Sequence, residues 1–171
     1  MIVPIILYGS SILRKHSFEV TGDDNPIKLA EDLFDTLKKA AGIGLAAPQA
    51  GILKRAFVID TPPFSDDDNL VPKYEQAFIN PEIIGLSVHK TYYEEGCLSI
   101  PGIFEEVYRP QKISVRYFDI NFNLIEEDLD GLKARIFQHE YDHLEGILFI
   151  DKLSPLKRKM LAGRLNKIMN S

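Results

Sequence analysis

Residues 131–146 read Gly-Leu-Lys-Ala-Arg-Ile-Phe-Gln-His-Glu-Tyr-Asp-His-Leu-Glu-Gly. The run has the periodicity of a helix that closes at Gly146. Leu132, Ile136, His139 and His143 follow one another at spacings of four, three and four, so both imidazoles share the face that points into the core. Histidines one helical turn apart are close enough to share a metal ion. Glu140, between them, can reach a water on that ion without being a ligand itself. The structural alternative is a pair of core histidines with satisfied hydrogen bonds.

A metal site needs a third donor. No histidine follows His143, and no acid follows Asp151. Glu145 and Asp151 are too near along the chain to fold back over the ion. The donor is therefore expected upstream, where His16, His89 and Cys97 are the nitrogen or sulfur candidates. Cys97 lies in Glu95-Gly96-Cys97-Leu98-Ser99, where Gly96 frees the backbone and Pro101 is expected to stop a regular strand. A lone cysteine is ordinarily a small buried hydrophobe. The constrained turn and the shortage of other donors favour Cys97 as the ligand, with His16 and His89 at the surface. A further stretch, Gly42-Ile-Gly-Leu-Ala-Ala-Pro-Gln49, lacks the lysine of a phosphate loop. Its small residues let backbone approach a ligand, and Gln49 offers one amide donor.

Around these stretches, Asn25-Pro26 reads as a helix start, with Ile27, Ala30, Phe34, Leu37 and Ala41 as the apolar stripe and Gly42 as the stop. Arg55–Asp60 reads as a buried strand and Thr61–Glu75 as an exposed loop. Gln76–Asn80 and Glu82–Leu86 flank Pro81 as strands, and Ser87–Glu94 extends the β signal. Lys112–Asp119 and Leu124–Leu129 pair across a turn at Asp119–Asn123. Ser154-Pro155 opens a last helix with the stripe Leu156, Met160, Leu161, Leu165, Ile168 and Met169. The fold class is α+β: mostly antiparallel strands around a central metal-binding helix, with an N-terminal and a C-terminal helix.

The 171 residues fit one catalytic domain, 1–171, with a basic C-terminal helix at about 154–171. With 45% hydrophobic and 26% charged residues, the composition excludes a disordered chain. No apolar run approaches the ~20 residues of a membrane span. Met1–Leu7 is short and interrupted by Pro4, which speaks against a secretory signal, and no transit peptide is recognisable. A single cysteine allows no intramolecular disulfide, so a reducing, cytoplasmic setting is expected. Net charge is −5, against a protein that wraps nucleic acid and with no specific DNA partner expected. From Lys152 to Ser171 there are six basic and no acidic residues, while the remainder carries 14 basic against 25 acidic. That helix suits docking on ribosomal RNA or protein, or equally an ordinary helix solvating its charges.

Together, Gly42–Gln49, Glu95–Ser99 and Gln138–Gly146 resemble the peptide deformylase motifs G-x-G-x-A-A-x-Q, E-G-C-L-S and Q-H-E-x-D-H-L-x-G, in that order. The resemblance implies removal of the N-formyl group from the formyl-methionine of newly made chains, with release of formate. It implies Cys97, His139 and His143 as ligands of one divalent metal per chain, with a water in the fourth position. Ferrous iron is implied as the cellular ion, with Zn2+, Ni2+ or Co2+ able to substitute. Glu140 would move the proton, and Gln49 and the Leu98 N–H, helped by the Gly44 backbone, would face the developing oxyanion. Glu95, Gln138 and Asp142 would orient ligands or bind Arg109. The formyl-methionyl peptide would lie along the Ile43–Gly44 edge, with Ile43, Tyr93, Leu132, Arg135 and Ile136 around the methionine. Where some bacterial members carry a basic residue near the peptide, this chain has Gly102-Ile103-Phe104-Glu105. Two other functions compete: a metallopeptidase on the same helix, and a silent metal-binding or ribosome-associated protein.

Overall fold

The computed structural model describes residues 1–66 and 69–171. In chain order the elements are α1 (Pro26–Ala40), β1 (Gly44–Ala46), β2 (Ala56–Thr61), β3 (Phe64–Asp66), β4 (Asn69–Val71), β5 (Tyr74–Leu86), β6 (Lys90–Cys97) and β7 (Ile100–Pro110). They continue with β8 (Lys112–Phe118), β9 (Leu124–Asp130), α2 (Gly131–Leu144) and α3 (Pro155–Met169), with short 3-10 turns between. One five-stranded sheet runs in the order β1-β2-β5-β8-β9, and β3-β4 and β6-β7 form separate hairpins. All these strand pairs are antiparallel. The architecture is the expected α+β class.

β2 shows why the helices sit where they do. Alternate side chains of a strand point to opposite faces. Ala56 and Val58 pack with Leu29, Ala30, Leu33 and Leu37 of α1, while Phe57 and Ile59 pack with Ala134, Ile136 and Phe137 of α2. The sheet is thus covered on both faces, and its second strand reads as a continuous apolar run. A third cluster joins Ile100, Ile103 and Val107 of β7 to Leu161 and Leu165 of α3. Phe137 anchors α2: its ring is fully buried, edge-on to Phe57 at 5.0 Å and to Phe78 at 5.2 Å between centroids. Phe137→Ala is expected to cost about 3–5 kcal/mol, seen as a lower urea midpoint.

Several sequence-based expectations are corrected. α1 buries Ala30 and Leu37 of the expected stripe, adds Leu29, Leu33 and Thr36, and leaves Ile27 45% exposed. Both stripes fit a period of 3.6, and contact with β2 selects between them. The helix stops at Ala41, itself left-handed (φ 55°), one residue before Gly42. The stretch expected as a loop holds the β3–β4 hairpin, and Thr61 is buried at the end of β2; Asp67 and Asp68 lie outside the described residues. Pro81 does not divide two strands. β5 runs through it with a bulge between Ile79 and Glu82, where Asn80 (φ 48°) binds the Val20 N–H and carbonyl through its side chain. After Ser87–His89 the chain enters a different sheet. Pro101 stands inside β7, in a bulge between Ile100, paired with Cys97, and Phe104, paired with Gly96. α3 buries Leu161 and Leu165 but leaves Leu156 68% and Met160 72% exposed, so its apolar stripe is only partly covered.

Candidate active site

Two elements bring the proposed ligands together. Cys97 ends β6 at the tip of the β6–β7 hairpin, where it pairs with Ile100 across a tight turn. His139 and His143 lie one turn apart on α2, with ring centroids 5.2 Å apart. α2 begins with the Asp130 carboxylate accepting the Gly131 N–H (2.7 Å) and ends before Gly146. Gly146 has φ 74°, and a Cβ there would lie 2.5 Å from the Arg14 carbonyl. One donor atom from each of Cys97, His139 and His143 lies within 4.8 Å of the others. A tetrahedral cation with bonds of roughly 2.0–2.3 Å would have its donors roughly 3.3–3.8 Å apart. Cys97 Sγ and His143 Nε2 stand 3.4 Å apart, inside that range, and one sulfur with two imidazole nitrogens suits a divalent transition metal. His16 and His89 are at the surface, His16 paired with Glu145.

Glu140 is buried beside them, and its Oε2 has no hydrogen-bond partner among the described residues. Burial, reinforced by the negative charge of Glu95 and opposed by His139 and Arg109, pushes its carboxyl up to about 7 in the metal-free protein. Its Oε1 lies against the β1 backbone: a Cβ on Gly44 would come within 2.6 Å of it and within 3.0 Å of Ile136. Gly44→Ala is therefore expected to displace the carboxylate and lower kcat by at least ~10-fold while sparing the metal, as formate release and metal content would show.

Gln49 is fixed from both ends. Its Oε1 accepts the Ala46 N–H (2.9 Å), and its Nε2 donates to Ser99 Oγ (3.1 Å) and faces Cys97 Sγ at 3.4 Å. The N-terminal segment braces the same two residues: the Ile6 N–H donates to the Gln49 carbonyl and the Tyr8 N–H to that of Ser99. Ser99 has no role in the sequence-based reading. The only signal for it was its place in the cysteine motif.

Glu95 gathers the charges behind the site. Its Oε1 bonds His139 Nδ1 (2.9 Å) and accepts from Arg109 Nη2 (3.0 Å). Its Oε2 accepts from Arg109 Nε (2.7 Å) and Arg135 Nη1 (2.9 Å). Burial alone would raise the Glu95 carboxyl, but the bonds from His139 and Arg109 outweigh it and hold Glu95 well below the usual carboxylate range. Arg109 Nη1 reaches Asp142 at 2.7 Å. Gln138 departs from expectation: its Nε2 donates to the carbonyls of Pro110 and Ala134, and so ties α2 to the end of β7.

A cavity of about 590 Å³ opens over these groups, within the range of small-ligand sites. Ile43, Gly44, Tyr93, Leu98, Leu132, Arg135 and Ile136 all line it, with Glu94 and Phe104, which the sequence did not suggest. It runs between β1, the outer strand of the main sheet, and β6. The Ile43 carbonyl accepts the Asp60 N–H (2.9 Å), so it faces into the sheet. By antiparallel alternation the N–H and C=O of Gly44 then face the open side. Of the expected pair, Gly44 thus presents its backbone to the cavity side, while the Ile43 carbonyl is used within the sheet.

The family model described as polypeptide deformylase matches residues 2–159. The chain is similar to the peptide deformylase of Cytophaga hutchinsonii, 46% identical over 169 residues that cover 98% of this chain and 91% of that one. Among solved structures it is similar to the peptide deformylase of Plasmodium falciparum, with TM-score 0.86 and 41% identity over 97% of this chain and 95% of that one. It is also similar to that of Ehrlichia chaffeensis, with TM-score 0.87 and 36% identity over 98% and 96% of the two chains.

Proposed function

The chain belongs to the peptide deformylase family, and so is a metal-dependent hydrolase that removes the N-formyl group of nascent peptides; we propose that Cys97, His139 and His143 hold its metal and that Glu140 moves the protons. The observation that carries this reading is the unpartnered, buried Glu140 oxygen beside three convergent donors in an open cavity. Held by Cys97, His139 and His143, a divalent cation would supply Lewis acidity, to lower the pKa of a water and polarise the formyl oxygen. Glu140 takes the proton of the attacking water and returns it to the departing amine. The water oxygen joins the formyl carbon, the C–N bond breaks, and formate and a free N-terminus leave. The Gln49 amide and the Leu98 N–H serve the oxygen on which charge develops, where one such donor is worth about 3–4 kcal/mol of barrier.

The peptide lies as an added strand along the Gly44 edge, so main-chain bonds hold it whatever residues follow methionine. The methionine side chain fits among Ile43, Tyr93, Leu132 and Ile136. We assign ferrous iron as the cellular ion. A thiolate with two imidazoles also suits Zn2+, Ni2+ and Co2+. Residues 1–171 are read as one catalytic domain at work in the cytoplasm; no helix of the described residues is long and apolar enough to cross a membrane. The basic α3, with Leu156 and Met160 exposed, supports docking on the ribosome. Co-sedimentation unchanged by deletion of residues 154–171 would dismiss that docking.

The deciding assay uses protein purified without oxygen and with its metal retained, supplied with a formyl-methionyl tripeptide. Formate with the peptide otherwise intact is the expected result. Cleavage inside the peptide would instead make it a metallopeptidase, and no formate from fully loaded protein would overturn the reading.

A further inference from the structure

Arg135 does something other than line the methionine pocket. Its side chain is 6% exposed, and its nitrogens are turned towards the β6–β7 hairpin. Nη1 donates to Glu95 Oε2 (2.9 Å) and to the Val107 carbonyl (2.9 Å), and Nη2 donates to the Thr91 carbonyl (2.7 Å). Thr91 and Glu95 belong to β6 and Val107 to β7, so one guanidinium from α2 grips both strands of the hairpin that carries Cys97. Its side chain also lines the cavity, with Cζ 5.8 Å from the centre of the Tyr93 ring.

The spacing gives this grip its meaning. Arg135 and His139 stand four residues apart on α2 and converge on the two oxygens of one carboxylate, Arg135 on Oε2 and His139 on Oε1. Arg109 supplies two further donors, one to each oxygen. An ionised carboxylate offers about four acceptor positions, and here all are taken. A carboxylate held from every side cannot swing, and the imidazole bonded to it is held in one orientation and one tautomer. Arg109 links Glu95 to Asp142, near the end of α2, whereas Arg135 links it to the turn before His139.

We propose that Arg135 is a positioning residue: through Glu95 it orients His139, and by tying α2 to both hairpin strands it keeps Cys97 in register with the two histidines. The turnover part of the test rests on the deformylase reading, whereas the metal-retention part does not. A residue of this kind affects how long the metal stays and how fast the chemistry runs. A pocket residue would affect how well methionine binds.

The experiment compares wild type, Arg135→Met and Arg135→Lys, each loaded with Co2+. Three quantities are read: the cobalt absorption spectrum, the rate of metal loss to excess chelator, and kcat and KM on formyl-methionyl and formyl-norleucyl tripeptides. Arg135→Met keeps the stem and removes the head. It is expected to release cobalt about 10–100 times faster, to shift the cobalt absorption and to lower kcat. KM and the methionine-to-norleucine ratio stay at wild-type values. Arg135→Lys keeps the charge but not the fork, and is expected to fall between the two. Wild-type cobalt release and spectrum in both variants overturn the proposal, as does a loss confined to KM and methionine preference. Should Arg135→Met fail to fold, Arg135→Lys is judged on the same two metal signals. Lack of formate release by the wild type would strike at the deformylase reading alone, because the metal comparison needs no substrate.

Discussion

Glu140→Gln is expected to lose about 10²–10⁴-fold in kcat, the usual contribution of a positioned general base and acid, while binding the metal as the wild type does. The amide has the shape of the carboxylate but cannot take a proton from water. Glu95 cannot replace it, since it is fully engaged with His139, Arg109 and Arg135. Stripped of its metal, the same variant should not be less stable. Burial already pushes Glu140 up to about 7, so the fold works against its charge, and a neutral side chain relieves that. Formate release, metal content and thermal unfolding measured on one preparation check all three statements. Activity within a factor of ten of the wild type would remove Glu140 from its assigned role.

Cys97→Ala is expected to lose the metal itself, and activity with it. Structural zinc sites bind with roughly 10–16 kcal/mol shared over four donors, so one donor accounts for about 10²–10³ in affinity. The two histidines of α2 remain, and the hairpin then contributes no ligand to the metal. The effect should reach past the ion, because Gln49 Nε2 faces Cys97 Sγ at 3.4 Å and loses that neighbour. Metal per chain after desalting, followed by formate release at saturating added metal, separates weak binding from a damaged site. Stoichiometric metal with full activity would show that some other group completes the ligand set.

The parts of the molecule legible in the sequence are those governed by local spacing. The α2 stripe of Leu132, Ile136, His139 and His143 is an example, because a helix fixes which residues share a face. Asn25 and Ser154 are others: each cap accepts the N–H three residues on, at Lys28 and Lys157. What depended on a distant partner was not legible. The phase of α1 was decided by β2, and the passage of β5 through Pro81 by a bulge held at Val20. The separation of β6–β7 from the main sheet has no local mark. At the site, the three motifs pointed to Cys97, His139 and His143, and the fold brings these atoms together. The direction of the Arg135 head and the turn of Gln138 away from the ligands could not be read, because their acceptors are carbonyls and a carboxylate on other elements.

The outward N–H and C=O of Gly44 have a consequence for self-association. An unpaired strand edge is a template for any other extended chain, another copy of this protein included, and exposed edges invite fibrous or swapped assemblies. An edge proposed to pair with substrate cannot be capped with proline or covered with a helix. Here the hazard is limited by geometry: β1 has three residues, and it lies in a cleft faced by β6 with Tyr93 and Phe104 in its wall.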